Sequence, residues 1–395
     1  MKSWVEVSGR RLAENYGLLR EAVGGETAVL AVVKANAYGH GAAVCVPVLA
    51  RAGAQWLGVT DVAEGAAVRE ALAVAGISRE EQPKILVMSG SLREDAADVL
   101  RYGLTPVVWL REQMEWLVEA AVPSGGGPVP VHVEIDTGMT RQGVPVGVEL
   151  EELLTWVQGE PGIRVDGVMT HFASSEVAGS AQTSTQRGRF KRAVQMFAAA
   201  GMRPAWIHVG NSSTIDNEGV RNVAWLRGVA GIVGARSMVR AGIALYGYCL
   251  PIEGEGLSEV RQELQPVMTW KTRVIGVREV EAGETVGYNG IFVAERTMRL
   301  ALLPVGYADG LRRELSATNA RPGGWAMVRG QRAAIVGRVS MNLTVVDVSA
   351  IADVMLGDEV VVLGDGVTAE DHARLVGTIA YEIVCGVRTA HHCGD

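Results

Sequence analysis

Lys34 is the residue of this sequence best placed to do chemistry. It follows a short apolar run, Val29-Leu30-Ala31-Val32-Val33, and precedes Ala35-Asn36-Ala37-Tyr38, glycines 39 and 41, and an amphipathic stretch over 42–52. Burying an ammonium is costly without a partner. A lysine at such a run therefore either snorkels towards water or sits partly desolvated, where its pKa falls and it can form a Schiff base with a carbonyl. Polar residues close other apolar runs as well. These are Glu134-Ile135-Asp136-Thr137-Gly138-Met139-Thr140-Arg141, Thr170-His171-Phe172, His208-Val209-Gly210-Asn211-Ser212-Ser213 and Arg240-Ala241-Gly242-Ile243. Together they offer an imine-forming lysine, hydroxyl and backbone donors at glycine-bearing turns suited to a phosphate, two arginines and a histidine. That is the set of groups pyridoxal phosphate requires.

The elements that must position these residues repeat along the first part of the chain. Short apolar runs at 29–33, 56–60, 85–88, 105–108, 131–135, 165–170, 206–209 and 239–243 alternate with amphipathic stretches such as 62–73, 93–101, 112–121, 148–158 and 187–200. Eight such units with continuous apolar strands predict a closed parallel (β/α)8 barrel, which gathers strand ends on one face. An open doubly wound sheet is the alternative, but no glycine fingerprint for a dinucleotide follows the first strand. After Leu250 the texture changes to β-branched runs at 267–280, 299–305, 325–328, 333–336, 344–348 and 359–363, with one helix over 369–377. The predicted organisation is an α/β chain: a barrel over 8–246, then a mostly-β domain over 247–395 that residues 1–7 join.

Composition narrows the function classes. In 395 residues, 37 basic and 44 acidic side chains leave a net charge of −7 without a long basic stretch, so nucleic acid is not an expected partner. No signal-peptide core and no apolar run of membrane-spanning length stands out, which predicts a cytoplasmic protein without a membrane partner. Cys45, Cys249, Cys385 and Cys393 are scattered without metal-ligand spacing, so reduced thiols and no metal are expected. His391, His392 and Cys393 read as part of a frayed tail.

The run AVVKANAYGHG resembles the cofactor-lysine motif of alanine racemases, and the likeness continues in order through IDTGMTR, MTHFASS, HVGNSS, RAGIALYG, VGYNG, PVGYADG, GRVSMN and YEIVCG. The resemblance covers nearly the whole chain and implies a pyridoxal-phosphate barrel with a β-domain. It implies that Lys34 holds the cofactor and acts as one catalytic base, and that Tyr288 is the second base, supplied across a homodimer interface. Tyr38, Ser212, Gly242, Ile243 and Tyr381 match the cofactor's phosphate shell, and Asn211 beside them counts among the cofactor-binding residues. Arg240 matches the arginine facing the pyridine nitrogen, and His171 the histidine bonded to it. Arg141 matches the arginine near the cofactor's phenolic oxygen. Met341 and its neighbour Asn342 match the substrate-carboxylate region, and Tyr307 the access channel.

Two positions depart from the family's commonest pattern. Glu134 stands where a lysine, often carbamylated, positions the arginine at 141; a carboxylate there predicts a charge-assisted bond to Arg141 and activity independent of carbon dioxide. Asn342 stands where aspartate is frequent, which loosens the expectation of strict alanine specificity. The implied function is interconversion of L- and D-alanine, a small amino-acid substrate, with D-alanine supplied to peptidoglycan. The alternatives are a broader amino-acid racemase, acting for example on serine, a decarboxylase on the same barrel, or a pyridoxal-phosphate carrier or regulator.

Overall fold

In a computed structural model the described residues are 2–122, 127–217, 219–256 and 258–395. They form two compact units. One comprises Leu12–Ala37 and Cys45–Gln265; the other comprises the first residues through Arg11, Tyr38–Val44 and Pro266–Asp395.

The first unit is a closed barrel. After β1 (Ser3–Val7), which belongs to the other unit, its strands are β2 (Thr27–Val32), β3 (Trp56–Val59), β4 (Lys84–Val87), β5 (Thr105–Val108) and β6 (Val129–Asp136). The two-residue β7 (Val144–Pro145) pairs with the end of β6. The barrel continues with β8 (Ile163–Met169), β9 (Trp206–His208) and β10 (Arg236–Ala241). Neighbours pair in parallel in the order β2-β3-β4-β5-β6-β8-β9-β10, and the β10–β2 pairing closes the ring. The expected fold class is therefore the observed one. Its strands are buried along nearly their whole length, because helices cover one side and side chains fill the other, so they read as unbroken apolar runs. The last barrel strand begins three residues earlier and ends two residues earlier than predicted from sequence, at Ala241. The turn Ile243–Tyr246 then takes over, with the Tyr246 hydroxyl donating to Val32 O (3.1 Å).

The second unit is built on a nine-stranded sheet. Besides β1 it contains β11 (Met268–Arg273), β12 (Gly276–Val280), β15 (Met298–Leu303), β16 (Trp325–Val328), β17 (Gln331–Ile335), β18 (Thr344–Asp347), β19 (Glu359–Leu363) and β20 (His391–Cys393). A small hairpin, β13 (Thr285–Val286) with β14 (Phe292–Val293), stands apart from that sheet. β1 runs antiparallel to β11 and parallel to β20. Val280, Val286, Ala294, Met298, Leu300 and Val336 pack as one apolar cluster beneath the hairpin.

Three sequence expectations need correction here. The predicted strand over 267–280 is two strands, because the chain breaks at Val274-Ile275 and changes partner from β19 to β15. A helix absent from the sequence reading, Ala380–Cys385, carries Tyr381; at six residues it is too short to show a helical period. The expected frayed tail is strand β20: Val5 N donates to Ala390 O (2.8 Å), Gly394 N donates to Val7 O (2.9 Å), and His391 Nε2 lies 2.7 Å from Gly39 O. Backbone pairing with β1, invisible to local pattern, orders it.

Candidate active site

Lys34 lies two residues past the end of β2, half-buried, and the chain after it turns the unusual way. Ala35, Asn36, Ala37 and Tyr38 all have φ between 52° and 56°, a left-handed turn that costs L-residues roughly 1–2 kcal/mol each. Surrounding structure holds it. Ala37 N donates to Val33 O (2.9 Å), and Ala35 N donates to Glu64 Oε1 (2.6 Å). The other oxygen of that carboxylate accepts from Thr60 N (2.8 Å), and Glu64 is itself fixed in the first turn of its helix by the Asp61 cap. Glu64 thus ties the end of β3 to the lysine loop. Sequence reading missed it, since an acidic residue in a first helical turn is ordinary.

In the second unit, Tyr38 is buried with its ring edge-on to Tyr381 (6.1 Å between centroids), and burial pushes its phenol further above the ordinary tyrosine range. Gly39 at φ 79° has no alternative: a Cβ there would lie 2.1 Å from Val384 O. The loops resembling VGYNG, PVGYADG and GRVSMN also come together in this unit. Gly287 lies against the Arg338 backbone, and Gly306 against Ser340 and Met341, with no room for a side chain at Gly306. Tyr307 N donates to Ser340 O (3.0 Å) and Ala308 N to Met341 O (2.9 Å). Asn342 lies beside Asp309, Nδ2 to Oδ2 at 3.5 Å. Tyr288, at the hairpin tip, is 66% exposed, and Tyr307, Met341 and Leu343 are exposed too.

Arg240 is the centre of the barrel's polar cluster. Nη1 donates to His208 Nδ1 (3.2 Å) and His208 O (3.3 Å); Nη2 donates to Thr170 O (2.8 Å) and His171 Nδ1 (3.1 Å). A guanidinium has five N–H groups. Four are committed, and only the one on Nε is left for a ligand. Burial lowers the arginine's pKa to about 10, so it stays a cation at neutral pH. His171 is pushed down to about 3, by burial and then by Arg240, Arg141 and Lys34, and is neutral. With Nδ1 accepting, its proton sits on Nε2.

Ser212 Oγ accepts from Gly242 N (3.0 Å) and Ala244 N (3.1 Å), so its own hydrogen remains for an anionic oxygen. It thereby ties the start of one short helix to the Ile243–Tyr246 turn. Asn211 is the N-cap of the Ser212–Asp216 helix, its Oδ1 accepting from Thr214 N (3.0 Å). Asp136 takes three backbone N–H groups, from Gly138, Met139 and Thr140, and shapes the loop that ends in Arg141.

Glu134 corrects an expectation. Its Oε2 accepts from Gln142 Nε2, not from Arg141, and the same amide donates to Met88 O (2.8 Å). Glu134 lies inside β6 at 2% exposure, whereas Arg141 is exposed beyond the 137–140 loop. The two line one small cleft with Thr170 and His171, and act on each other through charge without a direct bond. Burial raises the Glu134 carboxyl, opposed by Gln142, Arg240 and Arg141. A fixed carboxylate here needs no carbamate, so activity in carbon-dioxide-free buffer should match that in air-equilibrated buffer. A reversible loss on degassing, restored by bicarbonate, would refute this.

Two family models match the chain: the N-terminal domain of alanine racemase over residues 7–250 and the C-terminal domain over 267–392. The chain belongs to the alanine racemase family. The alanine racemase of Syntrophobacter fumaroxidans is 35% identical over 390 residues, covering 98% of this chain and 95% of the relative. That of Sorangium cellulosum is 35% identical over 395 residues, 97% and 96% of the two. Among solved structures, the Clostridium difficile alanine racemase superposes with a TM-score of 0.85 at 29% identity, covering 98% of this chain and 94% of that one. The Bartonella henselae alanine racemase, solved with covalently bound pyridoxal phosphate, gives 0.80 at 25% identity, covering 100% and 99%. As a family member the protein is an amino-acid isomerase. No helix among the described residues is long and apolar enough to cross a membrane.

Proposed function

We propose that this alanine racemase interconverts L- and D-alanine with pyridoxal phosphate held by Lys34, and that two bases act on opposite faces of the substrate. The observation that carries the reading is the donor count at Arg240. One N–H, on Nε, suits a single acceptor such as a neutral pyridine nitrogen; a carboxylate or phosphate would call for a pair. The hydrogen left on Ser212 Oγ and the adjoining turn at Gly242 and Ile243 suit the phosphate, and the family resemblance adds Tyr38 and Tyr381 to that shell. When bound, the cofactor supplies the electron sink that makes an amino acid's α-proton removable.

The chain's own residues do the rest. Lys34 removes or returns the α-proton on one face, and Tyr288 of the partner subunit on the other, each the acid when the other is the base. Both groups titrate near 10 when unperturbed. His171 Nε2–H can donate to a phenolate oxygen and so favours the basic form of that tyrosine, with Arg240 behind it adding positive charge. Arg240 cannot donate its proton to the ring nitrogen, which keeps the sink moderate and limits side reactions. By the family resemblance, Arg141 would lie near the cofactor's phenolic oxygen, the Met341 backbone and Asn342 would hold the substrate carboxylate, and Tyr307 would line the access channel. The proposed setting is a cytoplasmic homodimer whose D-alanine goes into peptidoglycan.

The test is conversion of L-alanine, with L-serine alongside, in the presence of pyridoxal phosphate. D-Alanine should form, and borohydride should bleach the visible band and leave the label on Lys34. Failure to form D-alanine with cofactor saturating would refute the reading; equal turnover of serine would widen its substrate range.

A further inference from the structure

Two wholly buried histidines lie behind Arg240, away from any reacting atom. His208 closes β9 and takes Arg240 Nη1 on Nδ1; its Nε2 lies 2.8 Å from Nδ1 of His132 on β6. The proton positions follow from the donors alone. A guanidinium only donates, so His208 Nδ1 must accept, and the neutral ring carries its proton on Nε2. That N–H faces His132 Nδ1, which must accept in turn, so His132 carries its proton on its own Nε2. Any other arrangement sets two N–H groups against each other or leaves a contact without a proton. The geometry therefore dictates two neutral rings with one direction, each accepting from the arginine side.

The barrel makes room for this pair at some cost. Gly167, the register partner of His132 on β8, would place a Cβ 2.5–2.6 Å from the imidazole ring. A glycine inside a strand marks such a close approach. Trp56 packs on the far side of His132 (5.2 Å between centroids), and His132 Nε2 has no hydrogen-bond partner among the described residues. The unpartnered Nε2–H is what it costs to keep Nδ1 an acceptor for His208.

We propose that His208 and His132 are positioning residues: a one-directional imidazole pair that locks the Arg240 guanidinium so that its single remaining N–H, on Nε, is aimed at a ring nitrogen. This rests on the assignment of Arg240 to the pyridine nitrogen. His132→Leu removes the acceptor for His208 Nε2–H, freeing His208 to take the other tautomer and turn an N–H on Arg240. His132→Asn keeps an oxygen near the Nδ1 position.

The experiment measures how well apoprotein distinguishes pyridoxal phosphate from its 1-deaza analogue, in which carbon replaces the ring nitrogen. The parent should prefer the nitrogen form by about tenfold or more, the worth of one charge-assisted hydrogen bond. His132→Leu should erase most of that preference, and His132→Asn should restore it, whatever either does to overall affinity. Histidine 15N spectra of the apoprotein should show both rings protonated at Nε2 and unchanged between pH 8 and 5.5. A parent with no preference would overturn the reading of Arg240 itself. A parent that prefers the nitrogen form, with His132→Leu keeping that preference in full, would overturn the relay alone, as would a ring protonated at Nδ1.

Discussion

Mixing two inactive variants, Lys34→Ala and Tyr288→Phe, is expected to regenerate about a quarter of the parental racemase activity. Each variant alone lacks one base and should lose at least ~10³-fold, the upper range for a single acid–base group. If Tyr288 acts in the partner's barrel, a mixed dimer has one site missing both bases and one site with Lys34 and Tyr288 intact. Half the dimers in an equal mixture are mixed, and half their sites work. The structural ground is the tyrosine's position: it stands 66% exposed on a small hairpin, whose loop is seated on the Gly337–Arg338 backbone. Differently tagged chains, co-expressed and purified as the mixed dimer, should show half the parental turnover. A mixed dimer with no activity would place both bases of a site on one chain. The Tyr288→Phe protein should keep its cofactor absorbance, which separates loss of the base from loss of the site.

Lowering the pH from 7.5 to 5 should weaken the fold steeply. Burial pushes His132 and His171 down to about 3, His372 to about 4, and His208 well below its ordinary value. Unfolded, each titrates near 6.5. Above that value both states are neutral and nothing is lost. Below it the unfolded chain binds protons that the native chain refuses, so stability falls with pH until the folded values near 3–4 are reached. Each histidine costs about 2 kcal/mol between pH 7.5 and 5, at a limiting slope of about 1.4 kcal/mol per pH unit, and four together about 8, against a typical total of about 5–15 kcal/mol. Glu134 works the other way, since its raised carboxyl takes up a proton in the native state first, and it offsets one histidine at most. Urea midpoints followed by tryptophan fluorescence should drop sharply between pH 6.5 and 5. Equal midpoints at pH 7.5 and 5 would refute the prediction, and with it the neutrality of the buried rings.

Much of the molecule is written locally. The barrel is legible because a parallel strand, covered on both faces, must be apolar throughout, and eight such runs separated by helical patterns leave few arrangements. Lys34 is legible because an ammonium beside a buried run demands an explanation. The motif order carries the family, and the resemblance supplies candidate site residues, down to the weakly patterned Met341 and Asn342.

What the sequence leaves open is who bonds to whom. Nothing local tells that Glu134 would be taken by Gln142 and not by Arg141; the amide reaches it because Gln142 also spans to Met88 O across the strand ends. Nothing local pairs His391–Cys393 with β1, more than 380 residues away in the chain. His208 stands out in the sequence only as one of several polar residues closing an apolar run and His132 not at all; their pairing, and the room Gly167 leaves for the His132 ring, exist only in the fold. The donor count at Arg240 exists only once four acceptors from two strand ends are in place. A residue's type determines what it can donate or accept; the fold decides which of those bonds are already spoken for, and so which single N–H is left over for chemistry.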